Sequence, residues 1–550
     1  MRSPRPHPAL VFAAIFVGIF LLHAGLLQLP YFWDEAGYYI PAARDLLLHG
    51  SLIPQTTVSN AHPPLVMAWV ALWWKCVGYA PIVTRSAMLF ASAFALLGLF
   101  RLAERAANTQ VAIASTACTA LYPVFFAQSS LAQVDLAAAG FTFWGLWAYL
   151  EDRPGLVALF FSLAVLAKET AIIAPCALAM WAFAGQAALA RGRTWPLWLG
   201  RGRDVAEQCL YNRGRNRVLL SLLLPLLPLF AWYAYHYWRT GYVFGNPEFF
   251  RYNIASTLNP LRFLLALALR LWQILGYLHL WVLTLGMALA MLWWEPLKDD
   301  GIERERIAIP VQMVFYVVVA AYVVAMALIG GAVLARYMLP AVPLVIVLGV
   351  STLRRRLRQW CIATGVVAVA FAAGLVWNPP YGFSPEDNLA YRDYVVLHEN
   401  AERFLEARYP MAKALTAWPA SDELTRPWLG YVTRPVKVVR IEDFSVDEMM
   451  SAAEFRTNFE VALVFSTKYE PARPLMEHWQ RWEEWKRRFF GYHRDLPPAL
   501  AARILGGHVV FSQERKGQWV AVIELVREEA PEEAGGAPDV RTFAAKGFPY

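Results

Sequence analysis

Eleven apolar segments recur along the first two-thirds of this 550-residue chain, at about 9–29, 83–100, 110–127, 135–150, 156–167, 170–187, 218–238, 276–294, 307–329, 332–350 and 361–377. Most are close to the roughly 20 residues that a helix needs to cross a bilayer. Lipid offers no partners for backbone N–H and C=O groups, so such segments must bond internally as helices. With 58% hydrophobic and only 17% charged residues, the chain carries more apolar surface than a soluble fold of this size can bury. It therefore reads as an α-helical polytopic membrane protein with about 11 transmembrane helices. The first apolar run, Ala9 to Pro30, follows a basic start at Arg2 and Arg5. It is too long for a signal-peptide core and lacks a small-residue cleavage site, so it reads as a retained helix.

Loop charge orients the helices. With the N-terminus inside, Arg101 and Arg105, Arg153, the run from Arg191 to Arg217, Lys298 to Arg306, and Arg354 to Arg358 all fall on the inner side. That is the Lys/Arg asymmetry expected of cytoplasmic loops. Pro64 to Val77, apolar but only about 14 residues long, decides the parity. Counted as a span it would reverse the later loops, so it is read as an interfacial or re-entrant helix opened by Pro63-Pro64, with a short tilted span as the alternative. The first loop (about 30–82), the turns at Gln128–Asp135, Lys168-Glu169 and Gly330–Arg336, the 239–275 segment and everything after about 378 then share the outer side.

The C-terminal part changes character. An amphipathic helix from about Pro385 to Arg408 precedes strands at Ala414–Trp418, Val436–Ile441 and Val461–Phe465, with a helix at Ser445–Phe455. Gly507–Gln513 and Trp519–Glu524 flank a hairpin turn. Strand–helix alternation predicts a small α/β domain over 379–525, on the periplasmic side, after a membrane domain over 1–378. The helix at Trp479–Trp485 packs on that domain or on the membrane, and 526–550 is expected to be disordered. The five cysteines avoid the polar C-terminal part, which excludes a disulfide framework and a Cys-type metal site there. A net charge of +8 fits basic cytoplasmic loops. No Lys/Arg stripe interleaved with aromatics points to nucleic acid.

Several polar residues stand where packing alone does not call for them. Asp34-Glu35 follows the first span inside Tyr31-Phe32-Trp33-Asp34-Glu35-Ala36-Gly37-Tyr38-Tyr39. Acids at a bilayer edge are costly and are functional candidates by default. Asp34 could act as a general base or cap the amphipathic run Ala36–His49. Glu35 could join it, or sit in the first helical turn as an anion on the dipole. His62, before Pro63-Pro64, could hold a phosphate with free N–H groups at a helix start. Asp135 is an acid at the outer end of a span, or a helix cap. Lys168 could neutralise a phosphate, snorkel, or pair with Glu169. Arg336 could grip phosphate with its planar fork of donors or anchor at the interface. No P-loop, His-Glu-x-x-His or Gly-x-Ser-x-Gly motif is present, so nothing points to ATP, a zinc-bound water or a serine nucleophile.

Taken together, Trp33-Asp34-Glu35-Ala36-Gly37-Tyr38-Tyr39, His62-Pro63-Pro64-Leu65, Asp135, Leu166-Ala167-Lys168-Glu169 and Ala335-Arg336-Tyr337-Met338-Leu339-Pro340 resemble bacterial GT-C superfamily glycosyltransferases over about residues 8–350. The nearest branches are the protein O-mannosyltransferase, aminoarabinose-transferase and Rgt-like relatives. The resemblance implies a periplasm-facing enzyme of the inner membrane that takes a sugar from a polyprenyl-phosphate donor and gives it to an envelope lipid, glycan or protein. It implies Asp34, with Glu35 and Asp135, as catalytic residues, and His62, Lys168, Arg336 and Tyr38 as substrate or phosphate ligands. His62 stands where the aminoarabinose branch has a lysine, and Ala61 precedes it in place of an acid. That argues against aminoarabinose and against a carboxylate-built metal site, although a divalent metal stays open as a cofactor. A polytopic lipid or solute transporter is the alternative class; it would call for polar groups at mid-depth and often inverted repeats, and no repeat is visible.

Overall fold

The computed structural model describes residues 7–190, 215–245, 259–329, 331–469, 471 and 479–526. Most of the basic run from Arg191 and almost all of the tail expected to be disordered lie outside the described residues. The chain is a membrane protein. Among the described residues, four helical stretches are long and apolar enough to cross a bilayer: Pro81–Ala106, Asn216–Thr240, Pro260–Trp293 and Ile309–Leu328. Six shorter apolar helices of 10–17 residues accompany them, so the expected count of eleven spans exceeds the helices that reach crossing length.

Helix starts follow simple chemistry. Proline opens the helices at Pro81, Pro123, Pro154 and Pro260, where its missing N–H would have had no partner. The Asn108 side chain accepts from Val111 N at the start of Thr109–Leu121. The 239–275 stretch contains more structure than a loop: Pro260–Leu275 is a helix, separated from Leu280–Trp293 by Leu278 and His279 with φ of 44° and 69°.

The two ends of the bundle differ in chemistry. At one end the basic loops meet: Arg105 pairs with Glu151 at 2.9 Å, Arg355 with Glu303 at 2.9 Å, and Arg354 donates to Gln110 at 2.9 Å. Those are the loops assigned to the inner side. The helix Leu65–Val77 has 13 residues, about 20 Å of rise, short of a roughly 30 Å hydrocarbon core. Both its flanks touch the opposite end: His62 contacts Glu169, and Tyr79 donates to Trp428 O. A segment whose two ends return to one side does not cross, which fits the re-entrant reading.

Beyond Val376 the chain builds a five-stranded sheet. The strands β1 (Lys298–Asp299) and β2 (Ile302–Glu303) form a separate small hairpin near the basic loops. The sheet itself comprises β3 (Lys413–Ala417), β4 (Lys437–Ile441), β5 (Val461–Phe465), β6 (Gly507–Arg515) and β7 (Gln518–Leu525), in the order β4-β3-β5-β7-β6. β3 runs parallel to β4 and β5, while β7 is antiparallel to β5 and β6. All five residues of β5 are buried, as expected for a strand covered on both faces. A single apolar cluster runs from Tyr31, Tyr39 and Ala167 through Tyr391 to Ile523, so the sheet part sits on the membrane helices. The helix expected from Pro385 begins instead at Ala390. Asn388, in extended backbone, accepts from Ala390 N just ahead of the helix, leaving Pro385–Asp387 as a separate turn. The tryptophan-rich helix, Gln480–Phe490, is not part of the buried cluster. Its last ring, Phe490, faces the Arg262 guanidinium at 5.8 Å.

Candidate active site

Asp34 and Glu35 are adjacent and point to different places. Trp33 has φ of 44°, and a π-helical turn, Glu35–Tyr39, follows before the regular helix Ile40–His49. Such local departures from regular backbone often occur at functional sites. Asp34 makes no side-chain cap bond. Its Oδ2 accepts instead from Arg336 Nη2 at 2.5 Å. Glu35 turns into the core, fully buried, where Arg85 Nη1 and Ala132 N each donate to its Oε1 at 2.5 Å and Phe32 N donates to Oε2 at 2.9 Å. Arg85 also donates to Ser130 O and Pro30 O. Glu35 therefore ties the turn that presents Asp34 to the neighbouring loop, and the structure does not bring it to the other candidates.

Arg336 is the hub. Beyond Asp34 it reaches Asp135 Oδ2 with Nε at 3.4 Å, Gln133 Oε1 with Nη1 at 2.5 Å, and the Glu386 carboxylate. Asp135 in turn accepts from Lys168 Nζ at 2.5 Å, so it does not serve as a helix cap. Lys168 Nζ also lies 3.9 Å from the centre of the Tyr337 ring, with the Arg336 guanidinium 5.7 Å from the same ring. Lys168 and Glu169 do not pair with each other; Glu169 Oε2 is 2.8 Å from His62 Nδ1. Lys168 adopts extended backbone, so consecutive side chains diverge. Within this network the side chain of Asp34 is 20% exposed, against 4% for Arg336, 3% for Asp135 and 6% for Lys168. The accessible member is thus an acid held by an arginine.

Glu386 and Gln133 were not singled out from the sequence. Glu386 lies among Pro385-Glu386-Asp387, which reads as ordinary acidic residues before an amphipathic helix. Gln133 Nε2 donates to Glu386 Oε2 at 3.0 Å and Gln128 Nε2 to Glu386 O at 3.3 Å, which fixes that turn over Arg336. Burial pushes the carboxyls of both Glu386 and Asp387 up, with Arg336 opposing the rise at Glu386. Asp387 reaches about 8 through burial and then repulsion from Glu386, and it accepts from Tyr277 Oη at 2.5 Å.

His62 lies beside this network on a pinned loop. Ser59 bonds His236 at 2.8 Å, and Trp232 Nε1 donates to Ala61 O at 2.8 Å. Tyr38, Tyr39, Ser59, His62 and Trp232 help line a narrow pocket of about 20 Å³. The Tyr38 ring sits 5.5 Å from Trp418 of the sheet part, and Trp418 also meets Trp33 at 5.3 Å. Trp418 thereby forms a roof next to Asp34. A second, apolar groove of about 540 Å³ runs between Ile173–Ala190 and Ile309–Leu328, lined by Ile173, Cys176, Trp181 and Val317 among others. It begins five residues after Lys168 in the chain. The carboxylates around Arg336 already have cationic partners, and a metal would have to displace them.

No family model and no curated protein sequence matches this chain. Among solved structures, ArnT from Cupriavidus metallidurans in the apo state superposes with a TM-score of 0.53 at 13% identity, covering 94% of this chain and 98% of that one. The same protein bound to undecaprenyl phosphate superposes with a TM-score of 0.50 at 12% identity, covering 94% and 97%. The chain thus shares the fold of that structure over nearly its whole length.

Proposed function

We propose that the protein is a membrane glycosyltransferase that moves a sugar from a polyprenyl-phosphate carrier to an envelope acceptor, with inversion at the anomeric carbon. One observation carries the reading: Asp34, Asp135, Lys168 and Arg336, from four distant segments, form one ion-paired network at the end of the bundle away from the basic loops. The fold neighbour bound to undecaprenyl phosphate supports the choice of donor.

The chemistry follows from the charges. A polyprenyl phosphate leaves readily only when fixed cations meet its growing negative charge. Lys168 and Arg336 supply them, with His62 at the edge of the adjoining pocket. Both cations are held by carboxylates, and a phosphate oxygen at Lys168 would take the place of Asp135. Asp34 takes the proton of the acceptor hydroxyl or amine as that atom attacks the anomeric carbon. The bond from that carbon to the phosphate oxygen breaks, and the polyprenyl phosphate departs with the electron pair. Arg336 holds Asp34 in place, and Glu386 and Gln133 hold Arg336. Glu35 positions the turn through Arg85. The apolar groove beside Ile173 is suited to the polyprenyl chain, and Tyr38 with Trp418 to the sugar or acceptor face.

In this reading residues 1–378 form the catalytic membrane part, in the inner membrane, and 379–525 a periplasmic part that covers Asp34. Mass spectrometry of envelope glycans from cells with and without the protein tests the reading. One sugar should be missing from a single acceptor class when the protein is absent, and an unchanged glycan profile contradicts it.

A further inference from the structure

The sheet part gathers a second set of ionisable groups that the proposed transfer does not use. His398 and Glu402 lie one turn apart on the Ala390–Arg408 helix, and Glu423 comes from the short helix Ala420–Thr425. His398 Nδ1 is 2.7 Å from Glu423 Oε2 and 3.6 Å from Glu402 Oε1. One nitrogen and two carboxylate oxygens, one from each residue, fit within 4.8 Å of one another.

All three side chains are at most 1% exposed. Neither oxygen of Glu402 has a hydrogen-bond partner, nor does Glu423 Oε1. The Tyr394 hydroxyl, on a ring stacked 3.9 Å from His398, is equally unpartnered and buried. Among the described residues no lysine or arginine pairs with either glutamate. Buried carboxylates are normally paired or bound to metal, because an uncompensated charge in the interior is costly. Among the described residues His398 is the one basic side chain in contact with them.

We propose that His398, Glu402 and Glu423 bind a divalent cation, zinc being the best match. A neutral imidazole and two carboxylates balance a 2+ charge, and one nitrogen with two oxygens lies within the ligand chemistry of zinc. The i, i+4 spacing puts two ligands on one helical face, and Glu423 brings the third from a separate element. Such a metal ties the Ala390–Arg408 helix to the segment that begins just after Trp418 and so fixes the roof beside Asp34. The rival account is a proton shared between the two glutamates.

The test uses detergent-purified full-length protein loaded with zinc, passed through a desalting column, and analysed for metal content and melting temperature. The site predicts about one zinc per chain and a higher Tm with zinc than after chelation. Glu402→Gln and His398→Ala should each retain roughly tenfold less zinc or lower still, while Asp34→Asn should keep it. A wild-type protein without zinc, or variants that hold as much as wild type, overturns the proposal. If neither variant folds, X-ray absorption on the zinc-loaded wild type decides. One imidazole with oxygen ligands at about 2.0–2.2 Å supports the site, and a shell with sulfur or with oxygen alone refutes it. The readout is metal content, so the result does not depend on whether transfer is observed.

Discussion

Asp34 Oδ2 lies 2.5 Å from Arg336 Nη2, an ion pair joining residues 302 positions apart in the chain. It is the contact through which the loop after the first helix and the segment before Val342–Arg356 share one site. Asp34 is the accessible partner and Arg336 the enclosed one. Replacing the acid by its amide should therefore remove proton acceptance while leaving the packing in place. Asp34→Asn is expected to lose transfer by about 10²–10⁴-fold with a Tm close to that of wild type. Wild-type transfer by this variant would remove Asp34 from the base role.

The neighbouring acid behaves in the opposite way. Glu35 is fully buried, and its removal strands the equally buried Arg85. Breaking one half of a buried pair costs about 3–5 kcal/mol. Glu35→Ala should thus lower the yield of folded protein and the Tm. A stable Glu35→Ala protein that lacks transfer would instead make Glu35 a direct participant.

Arg336 serves Asp34, Asp135 and Glu386 at once through separate nitrogens. A lysine keeps the charge but cannot present that planar fork. Arg336→Lys should lose transfer and lower Tm together, since it leaves buried carboxylates poorly matched. Kinetics and thermal melts on the same preparation check both.

Gly37 is required by a close approach. A Cβ added there would stand 2.5 Å from the Trp418 ring, with two further indole atoms inside 3.0 Å. Gly37→Ala should destabilise by about 1–3 kcal/mol, as overpacking does. Trp418→Ala in the same chain should recover much of that loss. Equal Tm values for Gly37→Ala and wild type would mean that Trp418 is not held against this turn.

Asp387 gives the pH dependence a sign. Its carboxyl is pushed from 3.8 up to about 8 in the fold. A group with a raised folded value contributes stability that is complete below its unfolded value and is lost as pH rises through the folded one. This contribution should therefore be full below about pH 4 and gone above about pH 8. Asp387→Asn, which cannot ionise, should flatten that slope. An identical pH profile of Tm for variant and wild type would contradict the assignment.

The convergence of Asp34, Asp135, Lys168 and Arg336 was legible in the sequence because loop charge orders the spans, and those residues fall in loops of one parity. The strand at Val461–Phe465 was legible because it is a short, wholly apolar run between polar segments. The pairings were not. Lys168 and Glu169 look like natural partners in the chain, but extended backbone at Lys168 sends them to Asp135 and His62. Glu386 was hidden because an acid ahead of an amphipathic helix has an ordinary local explanation; only the bend at Asn388 separates it from that helix. The roof made by Trp418 depends on packing between distant segments, which no local pattern encodes.

The central claim is tested most directly by giving purified protein a glycosylated polyprenyl phosphate together with an envelope extract as acceptor. The quantity to follow by mass spectrometry is free polyprenyl phosphate. The account predicts its release in step with sugar appearing on the acceptor, from wild type and not from Asp34→Asn. An intact donor under wild-type protein, across sugars and acceptors, would contradict it.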